Sequence, residues 1–438
     1  MHEPRPSPDW HWTTLLAFRF LCAYFVLAFA PAICSLVPLG SMLGAWIDLA
    51  QRPLYVWIGR AAFGVDITVF PAGSGDTTYS WVQLASELAF AAAAAIAWTA
   101  LDRGRTGHPR LREGLWIAMR FVLATFMFSY GLAKVFEMQF PSPDVGRLLT
   151  PYGDSSPMGL LWNFMGASRP YSMFAGWMEI AGGLLLCFRR TQLAGALLTA
   201  GVMANVFMLN MCYDVPVKIF SFQLLALAVA IAAPDLPRLA GMFVLNRPVP
   251  PADLRGPWTN RTARRIAFCA KCAWLATTLG VMLWETREMQ RTYISRENRG
   301  WIDGFWKVTQ FSRGGAPEPE PGPGAPRWEW LGFVDMPEAR TASVIEAGGG
   351  RRGWRMELKD DLLTLLGAPA AASVAGAEAT AQPPAGTLRL TREGERVLRV
   401  SGTVEGLPVE VTCERREPGD FLLMNRGFRW INEYPFNR

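Results

Sequence analysis

The chain has 438 residues, 51% apolar and only 18% charged, with a formal net charge of +6. With a positive mean hydropathy, that balance excludes an ordinary soluble protein and implies two solvents, lipid and water. Residues 1–290 hold 23 Lys and Arg against 17 Asp and Glu, residues 291–438 hold 20 against 20, and a basic excess scattered over loops between apolar runs excludes nucleic acid as a partner.

A helix needs about 20 mostly apolar residues to cross hydrocarbon. Seven such runs are expected, at 12–37, 79–101, 115–136, 171–188, 193–212, 217–233 and 266–284. Ala28-Phe29-Ala30 imitates a signal-cleavage site, but Pro31 follows it and the apolar run is too long, so the first run reads as a retained span. The stretches 39–78, with Trp46, Tyr55 and Trp57, and 138–170, with Trp162 and Phe164, are expected to form interfacial helices roofing the bundle, since such aromatic residues favour headgroup level.

Arg5, Arg103, Arg105, Arg110, Arg112, Arg189, Arg190, Arg238, Arg247, Arg255, Arg261, Arg264 and Arg265 fall on one side of this arrangement. Arg52, Arg60, Arg147, Arg169 and Lys218 fall on the other. The positive-inside rule then places the N-terminus in the cytoplasm and the part beyond 290 in the periplasm or outside the cell, as in a bacterial-type inner membrane.

Seven cysteines give no disulfide framework, and Cys269-Ala270-Lys271-Cys272 is weak evidence for a dithiol outside a thioredoxin-like context. His2, His11 and His108 sit at polar or interfacial positions, so no metal or haem clamp is expected within the bilayer.

Ionisable groups inside spans are costly and are the first functional candidates. Glu87 and Glu179 lie about eight residues, roughly 12 Å, below the outer surface. Tyr130, Lys134 and Glu137 are spaced to share one helix face, and Asn205, Asn210, Tyr213, Asp214, Lys218, Ser221 and Gln223 follow near the fifth and sixth spans. Lys134, Glu179 and Lys218 are the candidate catalytic groups, with Tyr130, Glu137, Asn205, Tyr213 and Asp214 as cofactor contacts. Two bland readings stand beside these: a structural Lys134–Glu179 ion pair, and Asp214 as an N-cap ahead of Pro216. Lys218 in a first helical turn calls for a nearby carboxylate, from Glu137, Glu179 or Asp214, or for an anionic ligand. Arg19 and Arg120 are expected to snorkel to the inner surface.

Gly131-Leu132-Ala133-Lys134, then Glu179-Ile180-Ala181-Gly182-Gly183-Leu184-Leu185-Leu186, Arg189-Arg190-Thr191 and Tyr213-Asp214-Val215-Pro216-Val217-Lys218 make residues 115–234 resemble the four-span unit of the DoxX-like superfamily. That superfamily also takes in the membrane domain of vitamin K-dependent gamma-carboxylases. The resemblance implies a compact helical bundle and, for some members, oxidoreductase partnerships involving quinone. Gly182 and Gly183 suit close helix packing.

Beyond Trp301 the pattern changes to short alternating segments at 305–311, 328–334, 341–346, 354–358, 387–391, 397–401, 409–413 and 421–424, expected as the strands of an antiparallel barrel or sandwich. The tracts 317–326 and 368–384 read as loops. Gly304-Phe305-Trp306 with a late arginine, Arg429, resembles lipocalin-like barrels, which hold one small apolar ligand or a filled core. The aromatic tail 426–438 is expected to fold back onto the barrel or the membrane roof.

The expected organisation is therefore an α-helical polytopic membrane bundle with a C-terminal antiparallel β barrel or sandwich. It divides into N-terminal spans and loop (1–114), a four-span core (115–234), an inner loop and seventh span (235–290) and an outer β domain (291–438). Two functions remain open. In one, a quinone or similar lipid enters an outer-leaflet polar pocket, where a desolvated Lys134 serves redox or base chemistry. In the other, a non-catalytic anchor carries a β domain that binds a lipid or a partner protein.

Overall fold

The structure is a computed structural model describing residues 10–37, 40–70, 75–252, 254, 260–293, 300–317, 327–336, 339–367 and 384–427. Arg5, His2, Arg255, the tracts 318–326 and 368–383, Arg429 and nearly all of the aromatic tail lie outside the described residues. The chain divides into two compact units, Met1–Gln139 with Pro170–Arg287 and Phe140–Arg169 with Glu288–Arg438.

The helices are α1 (Trp12–Cys34), α2 (Gly40–Phe63), α3 (Thr78–Leu101), α4 (Pro109–Val135), α5 (Val145–Leu148), α6 (Pro157–Ala167), α7 (Arg169–Cys187), α8 (Gln192–Cys212), α9 (Lys218–Ala232), α10 (Leu236–Phe243) and α11 (Arg261–Tyr293). Six helical runs are long and apolar enough to cross a membrane: α1, α3, α4, α8, Lys218–Phe243 and Arg261–Thr292. The seventh expected span corresponds to α7. Its 19 residues include Arg169, Pro170 and Glu179, which make it less apolar than the six.

α7 nevertheless runs antiparallel to α4. A Cβ on Gly131 would stand 2.7 Å from the Gly176 carbonyl oxygen, and one on Gly176 would stand 2.5 Å from that of Gly131. The two backbones touch there because neither residue has a side chain, the usual device for close helix approach in lipid. Farther along, Gly183 lies against the Phe128 ring, and Arg120 Nε donates to the Leu186 carbonyl at 2.8 Å.

α4 is the most deeply buried of the long apolar helices, with one face through Ala118, Phe121 and Thr125 only partly covered. Met119, Val122, Leu123, Ala124, Met127 and Phe128 are fully buried. α9 runs antiparallel to α4, with Phe126 and Phe220 rings 5.0 Å apart near one end and Trp116 Nε1 donating to the Ile231 carbonyl near the other. α11 runs parallel to α4 on the periphery, with the Trp274 and Phe121 ring centroids 4.7 Å apart and Arg287 over the Phe136 ring. α2 packs on α1 and α3 and leaves Met42, Trp46, Leu49 and Trp57 exposed, the surface an interfacial helix requires.

Helices α5 and α6 group with the β domain in the second unit. Gly146 of α5 sits against the Phe305 ring, and Thr150 Oγ1 accepts a hydrogen bond from Arg351 at 3.2 Å.

The strands are β1 (Gly304–Arg313), β2 (Ala316–Pro317), β3 (Trp328–Met336), β4 (Ala339–Glu346), β5 (Arg351–Lys359), β6 (Leu362–Leu366), β7 (Pro384–Glu393), β8 (Val397–Val404) and β9 (Leu407–Arg416). Apart from the two-residue β2, paired at one end of β1, they run up and down in sequence order, and β1 pairs with β9 from Phe305↔Arg416 to Arg313↔Val409. The result is a closed eight-stranded antiparallel barrel, which leaves no long unpaired edge. Inward residues alternate with outward ones, as with Trp354 and Met356 on β5 or Leu398 and Val400 on β8, and they form one contiguous buried apolar cluster.

Two expected strand assignments are corrected. Residues 421–424 do not form a strand; after the turn Pro418–Asp420 they enter a short helix, α12 (Leu422–Asn425). The eighth strand is β6, whose sequence Leu362-Leu363-Thr364-Leu365-Leu366 hides its alternation because both faces carry leucine. Leu363 and Leu365 point in, and Leu362 is 41% exposed.

The guanidinium over the buried Trp306 ring, 5.7 Å from its centroid, belongs to Arg415, which also donates to the Asp303 carbonyl at 3.1 Å.

Candidate functional site

Lys134 and Glu179 meet where α4 and α7 pack closest. Lys134 Nζ lies 2.8 Å from both Glu179 carboxylate oxygens, and both side chains are buried. Lys134 belongs to the last turn of α4, where the helix dipole favours a cation. Its ammonium also stands over the Tyr130 ring, 5.6 Å from the centroid.

Glu137 lies beyond the end of α4, so helical spacing does not place it on the face of Tyr130 and Lys134. α4 ends at Val135, and Glu137 turns into the left-handed region with φ 59° while the following amides of Met138 and Gln139 return to the Ala133 carbonyl. Three-residue spacing puts two side chains on one face only while the helix continues, and α4 stops before Glu137.

A second charged cluster surrounds the start of α9. Lys218 Nζ donates to Asp214 at 2.8 Å and lies 3.9 Å from Asp76. Asp214 is no N-cap: its φ is 50° and its side chain is 85% exposed. The capping carboxylate is Asp76, which accepts from the backbone N–H groups of Lys218 and Ile219. Sequence reasoning missed Asp76 because it precedes α3 and lies far from α9 in the chain. Phe220, in the first turn of α9, lies 6.3 Å from Tyr130, so both clusters occur at one end of the bundle.

Asn210 is buried and donates to Ser221 Oγ at 3.0 Å, tying α8 to α9. Asn205 is exposed on the other side of α8, away from this pair. Tyr213 caps the C-terminus of α8 half-buried, with its backbone N–H on the Leu209 carbonyl. Gln223 donates to the Tyr24 hydroxyl at 2.9 Å. Glu87 is buried elsewhere, accepting from Gln83 at 2.9 Å. The Tyr79 ring lies against Tyr55, 5.9 Å away, and its buried hydroxyl has no hydrogen-bond partner among the described residues.

Arg19 and Arg120 do not snorkel. Arg19 is fully buried, donating to the Asp102 carbonyl at 3.1 Å and its carboxylate at 3.3 Å, beside His108 Nε2. Polar partners inside the bundle replace the water it was expected to seek. Burial, and then the Arg19 charge, hold the His108 pKa below the usual imidazole range. Arg120 is buried with the Leu186 carbonyl as its acceptor. Cys269 and Cys272 are free and exposed on α11.

In the second unit a cleft of about 650 Å³ lies between the α5 region and strands β3 to β5, lined by Thr150, Asp154, Glu329, Trp330 and Arg351 among others. Among the described residues no three His, Cys, Asp or Glu side chains gather as a metal site would require.

No family model matches this chain, and no solved structure matches it. It is similar to an uncharacterized protein, YwoB, of Bacillus subtilis (strain 168), with 28% identity over 145 residues that make up 33% of this chain and 91% of that protein. The chain is an integral membrane protein by its six apolar helices, and it carries an eight-stranded barrel.

Proposed function

We propose that this chain is a membrane-anchored binding protein whose β domain recognises a lipid or a partner protein. The carrying observation is the Lys134–Glu179 contact. A lysine that donates to both oxygens of a buried carboxylate has its nitrogen committed to that partner, and the contact joins α4 to α7. A base would need that contact broken, and a quinone would have to displace one of the partners. The quinone-linked reading thus requires the pair to open.

The DoxX-like reading of 115–234 gains support from the same residues, since Gly131, Lys134, Glu179 and Gly183 of its motifs make the α4–α7 contacts. We count α7 as a span because it accompanies α4 through the bundle. Seven spans, with the basic loops in the cytoplasm of a bacterial-type inner membrane, then bring the β domain to the outer side. The cleft at Thr150, Glu329 and Arg351 is the contact surface we assign to its partner.

The deciding experiment is mass spectrometry of lipids and quinones co-purified with the wild type and with the apolar pair variant Lys134→Met/Glu179→Leu. The binding-protein reading expects no stoichiometric quinone in either. A quinone present in the wild type and lost in the variant would replace it with the redox reading.

A further inference from the structure

At the end of the bundle opposite Lys134, a cleft of about 620 Å³ opens between α4 and α11. Phe121, Phe268 and Trp274 form apolar walls, and Arg120, Lys271 and Arg264 line the same space. Arg120 is only 5% exposed and gives its Nε proton to a backbone carbonyl, so its charge is not neutralised there. Among the described residues, no carboxylate pairs with Arg120, Lys271 or Arg264. The remaining lining arginine, Arg189, is paired with Glu113.

Arg120 and Lys271 bring two cationic side chains to the lining of one cleft. Lys271 has partial compensation from the Phe188 and Phe268 rings, 4.4 and 5.4 Å from Nζ. Two like charges in a low-dielectric setting, one of them buried, demand an anion. Walls made of aromatic side chains demand an apolar body attached to it. The seven-residue step from Arg264 to Lys271 covers roughly 10 Å of helix axis, a span that matches a phosphate and the ester groups below it.

We propose that this cleft binds an anionic glycerophospholipid, with its phosphate and ester oxygens among Arg264, Lys271 and Arg120 and its acyl chains along Phe121, Phe268 and Trp274. The site is separate from the Lys134–Glu179 pair and from the barrel cleft, so it stands whichever reading of those holds. The shared chemistry with free phosphate is the oxyanion; the apolar walls favour the lipid.

The test uses full-length protein purified in nonionic detergent and titrated separately with phosphatidylglycerol, phosphatidylcholine and inorganic phosphate, with native mass spectrometry and thermal unfolding as readouts. Phosphatidylglycerol is expected to be retained as a bound lipid and to raise the unfolding temperature, while the other two do neither. Arg264→Gln/Lys271→Gln, which alters the less buried cations, is expected to weaken phosphatidylglycerol binding about tenfold, a loss of about 1.4 kcal/mol. Arg120→Gln adds a further loss where it folds, and the double variant carries the test where it does not. Equal retention of phosphatidylcholine, stabilisation by phosphate alone, or unchanged phosphatidylglycerol binding in the double variant would overturn the proposal.

Discussion

Asp76 accepts the backbone N–H groups of Lys218 at 2.8 Å and Ile219 at 3.1 Å, capping α9 from a position 142 residues earlier than Lys218. These are two of the donors that every helix N-terminus leaves unpaired, and a carboxylate there also meets the positive end of the dipole. Asp76→Ala is therefore expected to cost about 1–2 kcal/mol. Asp214→Ala removes only a solvent-exposed partner of Lys218 and is expected to cost under about 1 kcal/mol. Unfolding in detergent, followed by helical circular dichroism, checks both. Equal losses would mean that the cap contributes nothing beyond the surface pair.

The Lys134–Glu179 pair has a distinct mutational signature. Removing either partner strands the other charge in the bundle, so Lys134→Ala and Glu179→Ala are each expected to cost about 3–5 kcal/mol. Replacing both by apolar residues of similar size, Lys134→Met/Glu179→Leu, is expected to recover most of that loss, because neither desolvated charge remains. The same unfolding assay reads the cycle. A double variant as unstable as the singles would show that the polar groups have further obligatory partners.

Acid should act on the Arg19–Asp102–His108 cluster. Burial and the neighbouring Arg19 lower the His108 pKa, so as pH falls through the ordinary imidazole value of about 6.5 the unfolded chain takes the proton first. The stabilisation is thus present above that pH and is lost as pH drops towards the folded-state pKa. Asp102 and Arg105 also face the ring region; the Asp102 carboxylate tempers the effect and the Arg105 charge adds to it. His108→Gln is expected to flatten the pH dependence of unfolding between about pH 7.5 and 5.5. An identical slope in wild type and variant would locate the acid sensitivity elsewhere.

What could be read in advance follows from the range of the interactions. Apolar runs and two-residue alternation are local, and they announced the bundle helices and strands such as β5 and β8. β6 escaped because leucines on both faces erase the alternation, while 421–424 imitated a strand although its chain direction is set by the Pro418 turn. Lys134 and Glu179 were recognisable as intramembrane charges, but their mutual contact depends on Gly131 meeting Gly176. Asp76 was illegible as the α9 cap, since nothing near it in sequence marks a helix so far along the chain. Arg19 and Arg120 were misplaced for the converse reason. Their acceptors, the Asp102 and Leu186 carbonyls, are backbone atoms that any residue would supply.

Cys413 offers a probe of the barrel alone. It points into the core from β9, fully buried, with its thiol donating to the Leu398 carbonyl at 3.2 Å, and burial pushes its pKa up to about 12. At pH 8 only about one thiol in 10⁴ would be ionised even if a reagent could reach it, and the thiolate is the reacting species. Cys212, Cys269 and Cys272 are exposed and should alkylate first in detergent. Alkylation at Cys413, followed by peptide mass spectrometry across a urea series, is expected to begin only with the loss of β signal. Labelling well before that transition would show that β9 separates from β8 or β1 while the rest of the sheet persists, and the closure between Phe305 and Arg416 would then be the weak seam of the barrel.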